Sequence, residues 1–138
     1  MVGLLEFAHL TYSKEKLVYF LIEHRVLASS ITCRQCGNNL SIDKETLSYK
    51  CRKRYTIKNV HKKRVSKQCD FIKSAKEGTW FGQSNLDVGT VCKIVACFLM
   101  LRHPRQDDTQ EETGAARATI VDWFNFCREV IILIFCNN

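Results

Sequence analysis

Cys33-Arg34-Gln35-Cys36-Gly37 is the stretch that decides how this chain folds. Two thiols separated by two residues can grip one ion, because a tight turn aims both sulfurs inward, and Gly37 supplies the backbone freedom that turn needs. A tetrahedral site needs two further ligands, and Cys51 and Cys69 are the candidates, each at the end of a strand-like segment. Seventeen residues separate them, so the second pair is not a tight knuckle, and His61 within that gap is an alternative to Cys69 as fourth ligand. Disulfides or free thiols are the remaining reading of these cysteines. Four protein ligands would leave no open position for water, which points to a structural Zn2+ and away from zinc catalysis.

The sequence around the knuckle supports that reading. A secreted disulfide scaffold would explain an even number of cysteines, eight in all. However, Met1 to Leu10 has no basic n-region, and Glu6 interrupts the apolar run before any small-residue cleavage site. A metal site in a reducing compartment is therefore expected. Cys92, Cys97, Cys127 and Cys136 lack knuckle spacing and are expected as core or surface thiols.

Outward from the knuckle, short strand-like pieces alternate with turns. Asn39 to Ile42 and Leu47 to Cys51 flank Asp43-Lys44-Glu45-Thr46, a sequence suited to a hairpin turn. Arg52 to Lys67 is basic and poor in apolar residues, and is expected as an exposed loop or extended hairpin. Cys69 to Ser74 is a further short strand segment, and Gly78 punctuates the chain before Thr79-Trp80-Phe81.

Charge is distributed unevenly over the 138 residues, whose formal net charge is +7. From Lys44 to Lys76 there are twelve Lys or Arg against two acids, Glu45 and Asp70. Charge packed this tightly favours a polyanion, nucleic acid first and an anionic membrane surface second; a solvated basic face without a partner is the plain alternative. Hydrophobic content of 46% is ordinary for a folded protein. No stretch has the length and apolarity of a membrane span, since Val88 to Leu101 carries Lys93, and Ile120 to Phe135 carries Asp122, Arg128 and Glu129.

Helical patterns lie on both sides. Ser13 to Leu27 places Leu17, Phe20, Leu21 and His24 at helical spacing, with His24 expected as a packed helix residue. Ser84-x-x-Asp87 resembles a capping box before an apolar face of Val88, Val91, Cys92, Val95, Phe98 and Leu99. Pro104 closes that helix. Asp107 to Glu112 is polar and weakly helical, Thr113-Gly114 makes a turn, and Arg117 to about Phe135 is a final helix. Its expected core positions are Ile120, Trp123, Phe124, Cys127, Val130, Ile131 and Ile134. Two helices joined by a glycine turn suggest a helix-turn-helix, whose second helix would present Arg117, Thr119 and Asn125 to DNA. An ordinary amphipathic helix with a solvated polar face fits the same spacing, and Asp122 and Glu129 on that face count against DNA.

These motifs together resemble a known family. Cys33-x-x-Cys36-Gly37, Tyr49-Lys50-Cys51, Cys69 with Ser74, Gly78-Thr79-Trp80-Phe81, Ser84-x-Leu86 and the block from Thr119 to Val130 follow one another in the order found in Merlin-type DDE transposases and their insertion-sequence relatives. The resemblance covers about Leu17 to Val130. It implies a zinc ribbon held by Cys33, Cys36, Cys51 and Cys69, then a helix-turn-helix that recognises terminal inverted repeats. Arg117, Thr119 and Asn125 fall on the helix expected to meet DNA. The sequence departs from the family in a longer Arg52 to Lys67 link and in the scarcity of apolar residues from Asp107 to Glu112. The family's carboxylate-bearing catalytic domain would begin beyond Val130, so the resemblance implies binding without catalysis.

The expected architecture is α+β: a small zinc ribbon flanked by helices, with a C-terminal helix-turn-helix-like unit. The expected divisions are an N-terminal helix at 1–30, the ribbon with its basic loop at 31–82 and a helical unit at 83–138. The expected partner is DNA, contacted by Lys53, Arg54, Lys62, Lys63 and Arg64 from the loop and by Arg117, Thr119, Asn125 and Arg128 from the last helix. Lys62-Lys63-Arg64 and the DNA reading suggest nuclear residence. The apolar run Ile131 to Phe135 suggests a rival role as a protein-interaction or adaptor module, through a homodimer or another protein; an accessory subunit of a transposase is a third possibility.

Overall fold

The structure, a computed structural model, describes residues 3–137; Met1, Val2 and Asn138, at the ends of the expected 1–30 and 83–138 segments, lie outside the described residues. The protein is α+β, with five helices and three two-stranded antiparallel sheets among those residues. It forms two compact units, one of Val18–Gln83 and the other of Met1–Leu17 with Ser84–Asn138.

The stretch 1–30, expected as one helix, forms two: α1 (Leu4–Tyr12) and α2 (Lys14–Glu23). The chain leaves helical geometry at Ser13, whose amide donates to Leu10 O. On α2, Leu17, Val18 and Leu21 are buried, as their spacing demands. His24 lies beyond the helix end, exposed, with its ring 4.1 Å from that of Phe20. The helix stops because Arg25 turns to φ 59° and the amides of Val26 and Leu27 fold back onto Leu21 O.

In the Val18–Gln83 unit, β1 (Ser30–Thr32) pairs with β2 (Asn39–Ser41), and the knuckle occupies the turn between them. The expected hairpin between Asn39–Ile42 and Leu47–Cys51 does not form. Instead β3 (Ser48–Lys50) pairs with β6 (Ile72–Ser74), and only the Asp43↔Ser48 bridge links the two sides of the turn. Asp43 explains the change. Its carboxylate accepts from the amides of Glu45 and Thr46, and after this turn the chain enters a different sheet.

The basic stretch is an extended hairpin of β4 (Arg54–Lys58) and β5 (Arg64–Gln68). It continues the β3–β6 pair without a change of register. Ser48↔Ser74 and Lys50↔Ile72 lead to Arg54↔Gln68 and Lys58↔Arg64. Across the irregular middle, Cys51 N donates to Phe71 O and Cys69 N to Lys53 O, at 2.8 and 2.9 Å. A strand pleat sends alternate side chains to opposite faces, so a single register carries one face along the entire ribbon. Tyr49, Cys51 and Cys69 lie on the buried side; Lys50, Arg52, Arg54 and Lys58 alternate with them on the exposed side.

The other unit is helical. α3 (Val88–Met100) is capped by Asp87, which accepts from Thr90 N at 3.0 Å; Ser84, expected as the capping residue, instead accepts from Leu86 N. Its buried face is Val88, Val91, Cys92, Ile94, Ala96, Cys97 and Phe98. Leu99, expected on that face, is 63% exposed. The polar segment forms a regular helix, α4 (Gln106–Thr113), although Thr109 is its one buried residue. Asp107 and Asp108 favour its N-terminus, and the hydroxyls of Thr109 and Thr113 bond carbonyls four residues back. Gly114, at φ 65°, closes α4 in the left-handed conformation and turns the chain into α5 (Arg117–Cys136).

Helices α3, α4 and α5 pack pairwise, and α1 packs on α3. Their core contains Ile94, Phe98, Ala115, Ile120, Phe124 and Cys127, with Trp123 and Ile131 at its margin. The Arg105 guanidinium lies 4.2 Å from the Phe98 ring and donates to Leu101 O. Beyond Cys127 the expected apolar stripe leaves the core. Val130 and Ile134 are exposed, together with Ile132, Leu133 and Phe135.

Candidate metal centre

The turn from Cys33 to Asn38 is built to converge two thiols. Gly37 N donates to Cys33 O, Cys33 N donates to Asn38 O, and Gly37 sits at φ 70°, where a side chain would be strained. The other two cysteines come from opposite arms of the long ribbon, where β3 passes into β4 and β5 passes into β6. On the same side of the ribbon, Tyr49 is buried and its hydroxyl donates to Ala28 O at 2.5 Å.

The four sulfurs lie within 4.8 Å of one another. Cys33 Sγ is 3.7 Å from Cys69 Sγ, and Cys36 Sγ is 3.4 Å from Cys51 Sγ. Four sulfurs arranged tetrahedrally about one ion at about 2.3 Å would stand about 3.8 Å apart. The two separations lie at and somewhat inside that edge, and both far exceed the ~2.05 Å of a disulfide. All four cysteines are free thiols, three of them buried and Cys36 half-buried. Among the described residues, no other set of three or more His, Cys, Asp or Glu side chains converges this way.

His61 is not part of the cluster. It lies exposed in the tip turn, where Asn59 and Lys63 are hydrogen-bonded. The ladder from Gln68 to Arg64 puts that tip more than about 13 Å from the Cys69 end, at strand rise. Cys69 is the fourth thiol because constant pairing puts it opposite Lys53, one step diagonally from Cys51 and on the same face of the ribbon.

The thiols differ in proton affinity. Burial pushes Cys33 up, but the amides of Cys36 and Gln35, with the neighbouring thiols, bring it down to about 7. For Cys36 the Asn38 amide acts downward, yet burial and the Cys51 and Cys33 thiols leave it raised. For Cys69 the Phe71 amide acts downward, but burial and the three other thiols push it up to about 12. The Cys69 thiol donates to Gln35 Oε1 at 3.2 Å. Once Cys69 is a thiolate it has no proton to give, so the Gln35 amide must turn and donate through Nε2.

Four thiols in this geometry can hold a soft, tetrahedral ion and leave it no vacant position. The strands of β1, β2, β3 and β6 are three residues each, too short to stand without such a staple or a larger core. Cys92, Cys97 and Cys127 belong instead to the helical unit and are raised, chiefly by burial, Cys92 to about 12; Cys136 is exposed.

The residues expected to meet DNA fall in two groups. Lys53, Arg54, Lys62, Lys63 and Arg64 are all exposed on the β4–β5 hairpin. On α5, Arg117 pairs with Asp107 at 3.4 Å, and Asn125 Oδ1 accepts from Arg128 Nη1 at 2.6 Å. At about 100° per residue, Arg117, Asn125 and Arg128 share one side of α5, whereas Thr119 points to the other and is half-buried. The sequence reading missed Gln35, and it took Tyr49 as part of the Tyr49-Lys50-Cys51 motif without its contact to Ala28 O. Of the two readings of Arg52 to Lys67, exposed loop or extended hairpin, the structure forms the hairpin, and Arg54-Tyr55-Thr56-Ile57-Lys58 alternates with the period of a strand.

No protein-family model, curated protein or solved structure matches this chain. Among the described residues, no helix is long and apolar enough to cross a membrane.

Proposed function

We propose that this protein is a Zn2+-dependent DNA-binding protein related to the N-terminal region of a Merlin-type transposase, with no catalysis of its own. The observation that carries the reading is that Cys51 and Cys69, two thiols of the cluster, bracket a hairpin that bears eight Lys or Arg and no acid from Arg52 to Gln68. Four sulfur ligands favour Zn2+ over hard cations. Bound Zn2+ would contribute on the order of 10 kcal/mol to folding of a unit with so little core. Its role is structural: it fixes the base of a cationic arm that projects into solvent.

DNA fits that arm because dense positive charge releases counterions from a phosphate backbone. Helix α5, following α4 across the Gly114 turn as in a helix-turn-helix, supplies a second contact surface through Arg117, Asn125 and Arg128. Its cations are already engaged with acids or amides, so the hairpin dominates the attraction. Zinc content per chain and duplex binding, measured on one preparation at two salt concentrations, test the reading. One bound Zn2+ and salt-sensitive binding are expected. Duplex binding that survives complete metal removal would overturn the zinc-dependent reading.

A second reading, a protein-interaction or adaptor role, rests on the far end of α5, where Ile132, Leu133, Ile134 and Phe135 are all more than half exposed. Replacing Ile132 and Phe135 by Ser and measuring molecular mass in solution tests it. A complex that dissociates on this change supports the reading; a monomeric wild type that captures no protein opposes it.

A further inference from the structure

We propose that the β4–β5 ribbon enters the major groove of duplex DNA and reads base edges with one face, that of Arg54, Thr56, Lys58, Arg64, Ser66 and Gln68. The proposal rests on the DNA-binding reading above and goes beyond it by assigning sequence recognition to the ribbon.

Register defines the face. Arg54 lies opposite Gln68, Thr56 opposite Ser66 and Lys58 opposite Arg64, and opposed residues of an antiparallel pair point to the same side. All six carry hydrogen-bonding groups suited to base edges: Arg and Lys to guanine, Gln to adenine, Ser and Thr to either. The other side carries Tyr55, Ile57, Val65 and Lys67, and continues the side of the ribbon that bears Cys51 and Cys69. The polar face therefore points away from the metal.

Size and freedom agree with this. Five residues of strand span about 16 Å, and a major groove about 12 Å wide and 8.5 Å deep admits a two-stranded ribbon. Every residue of both strands except half-buried Ile57 is exposed. Among the described residues, no cation of the β4–β5 hairpin makes an ion pair, unlike Lys50 with Asp43 and Arg117 with Asp107. At the tip, the Asn59–Lys63 turn holds Lys62 and Lys63 together beyond the reading face, where they can reach phosphates. Helix α5 is the weaker reader, since its Asn125 carbonyl is taken by Arg128 and Asp122 and Glu129 are also exposed on it. A duplex is favoured over RNA, whose major groove is too deep and narrow for side chains to read.

The test uses the full zinc-loaded chain and its preferred duplex, selected from a random pool. Thr56→Ala and Gln68→Ala change no charge, so they isolate base reading from phosphate attraction. Each is expected to lower affinity for the preferred duplex about 10-fold while leaving unrelated duplex and zinc content unchanged. Lys62→Ala is expected to weaken all sequences alike. Replacing guanine by 7-deazaguanine, which removes an acceptor only from the major groove, should weaken the wild type. Unchanged preference in both neutral variants, or loss of preference in Asn125→Ala alone, would overturn the assignment to the ribbon while leaving DNA binding intact. Tighter binding to a structured RNA would overturn the choice of duplex, and failure of the wild type to bind any duplex would overturn the DNA reading itself.

Discussion

Adding Zn2+ to the metal-free protein at pH 7 should expel protons, because thiols must be ionised to serve as ligands. Cys69, pushed up to about 12, and Cys36, raised above the ordinary thiol value, each hold a proton at that pH. Cys33, brought down to about 7, holds one on about half of the molecules. One proton each from Cys36 and Cys69 and about half of one from Cys33 give a release of at least about 2.5 protons per ion. Apparent Zn2+ affinity should therefore fall as pH falls, by at least about 100-fold per unit just above pH 7 and at least about 1000-fold per unit below it, where Cys33 is also protonated. The metal-free fold has the opposite dependence. A thiol raised from 9.0 to about 12 stabilises the fold while protonated, so stability is lost as pH rises from about 9 toward 12. Calorimetry in buffers of different ionisation enthalpy counts the protons, and Co2+ absorption reports the number of thiolates. Release of fewer than two protons, or a Co2+ spectrum with fewer than three sulfur ligands, would refute this account of the site.

Three further outcomes follow from the same geometry. Cys69→Ala should weaken Zn2+ binding by at least about 100-fold, Gln35→Ala by about 10-fold, and His61→Ala not at all, as read by competition with a chelator. If Lys53, Lys62 and Lys63, which lie off the base-reading face, each neutralise one phosphate, the log–log salt slope should be about −2.7, or roughly a 40-fold loss of affinity between 50 and 200 mM salt; a slope near zero would remove the hairpin from the interface. Phe124→Ala, at a side chain only 1% exposed, should cost about 3–5 kcal/mol of helical-unit stability in denaturant unfolding and leave zinc stoichiometry unchanged.

The sequence made some parts of this protein legible because their signals are local. The Cys33–Cys36 turn, the extent of α5 and its Ile120, Phe124 and Cys127 core positions follow from spacing and periodicity alone. The convergence of Cys51 and Cys69 was legible only as chemistry, since nothing in the intervening seventeen residues states that the two arms pair in a register that puts both thiols on one face. Strand partnering was misread for the same reason. Asn39–Ser41 and Ser48–Lys50 are neighbours in sequence, yet the first pairs back with Ser30–Thr32 and the second with the distant Ile72–Ser74, and the local turn signal at Asp43 served a bend between sheets. Helix α4 shows the opposite failure, where a sequence with almost no apolar stripe is helical because dipole-favouring acids, two threonine back-bonds and packing on α3 and α5 support it.

The unbroken pairing from Ser48↔Ser74 to Lys58↔Arg64 also limits how such an arm can change in length. Gaining or losing one residue on a single arm past the cysteines would roll Arg54 and Lys58 on one arm, or Arg64 on the other, over to the thiol side. Growth between the base and the tip must come as two residues on both arms at once, while the turn at Asn59–Lys63 is the one place where odd changes leave the rows behind it undisturbed.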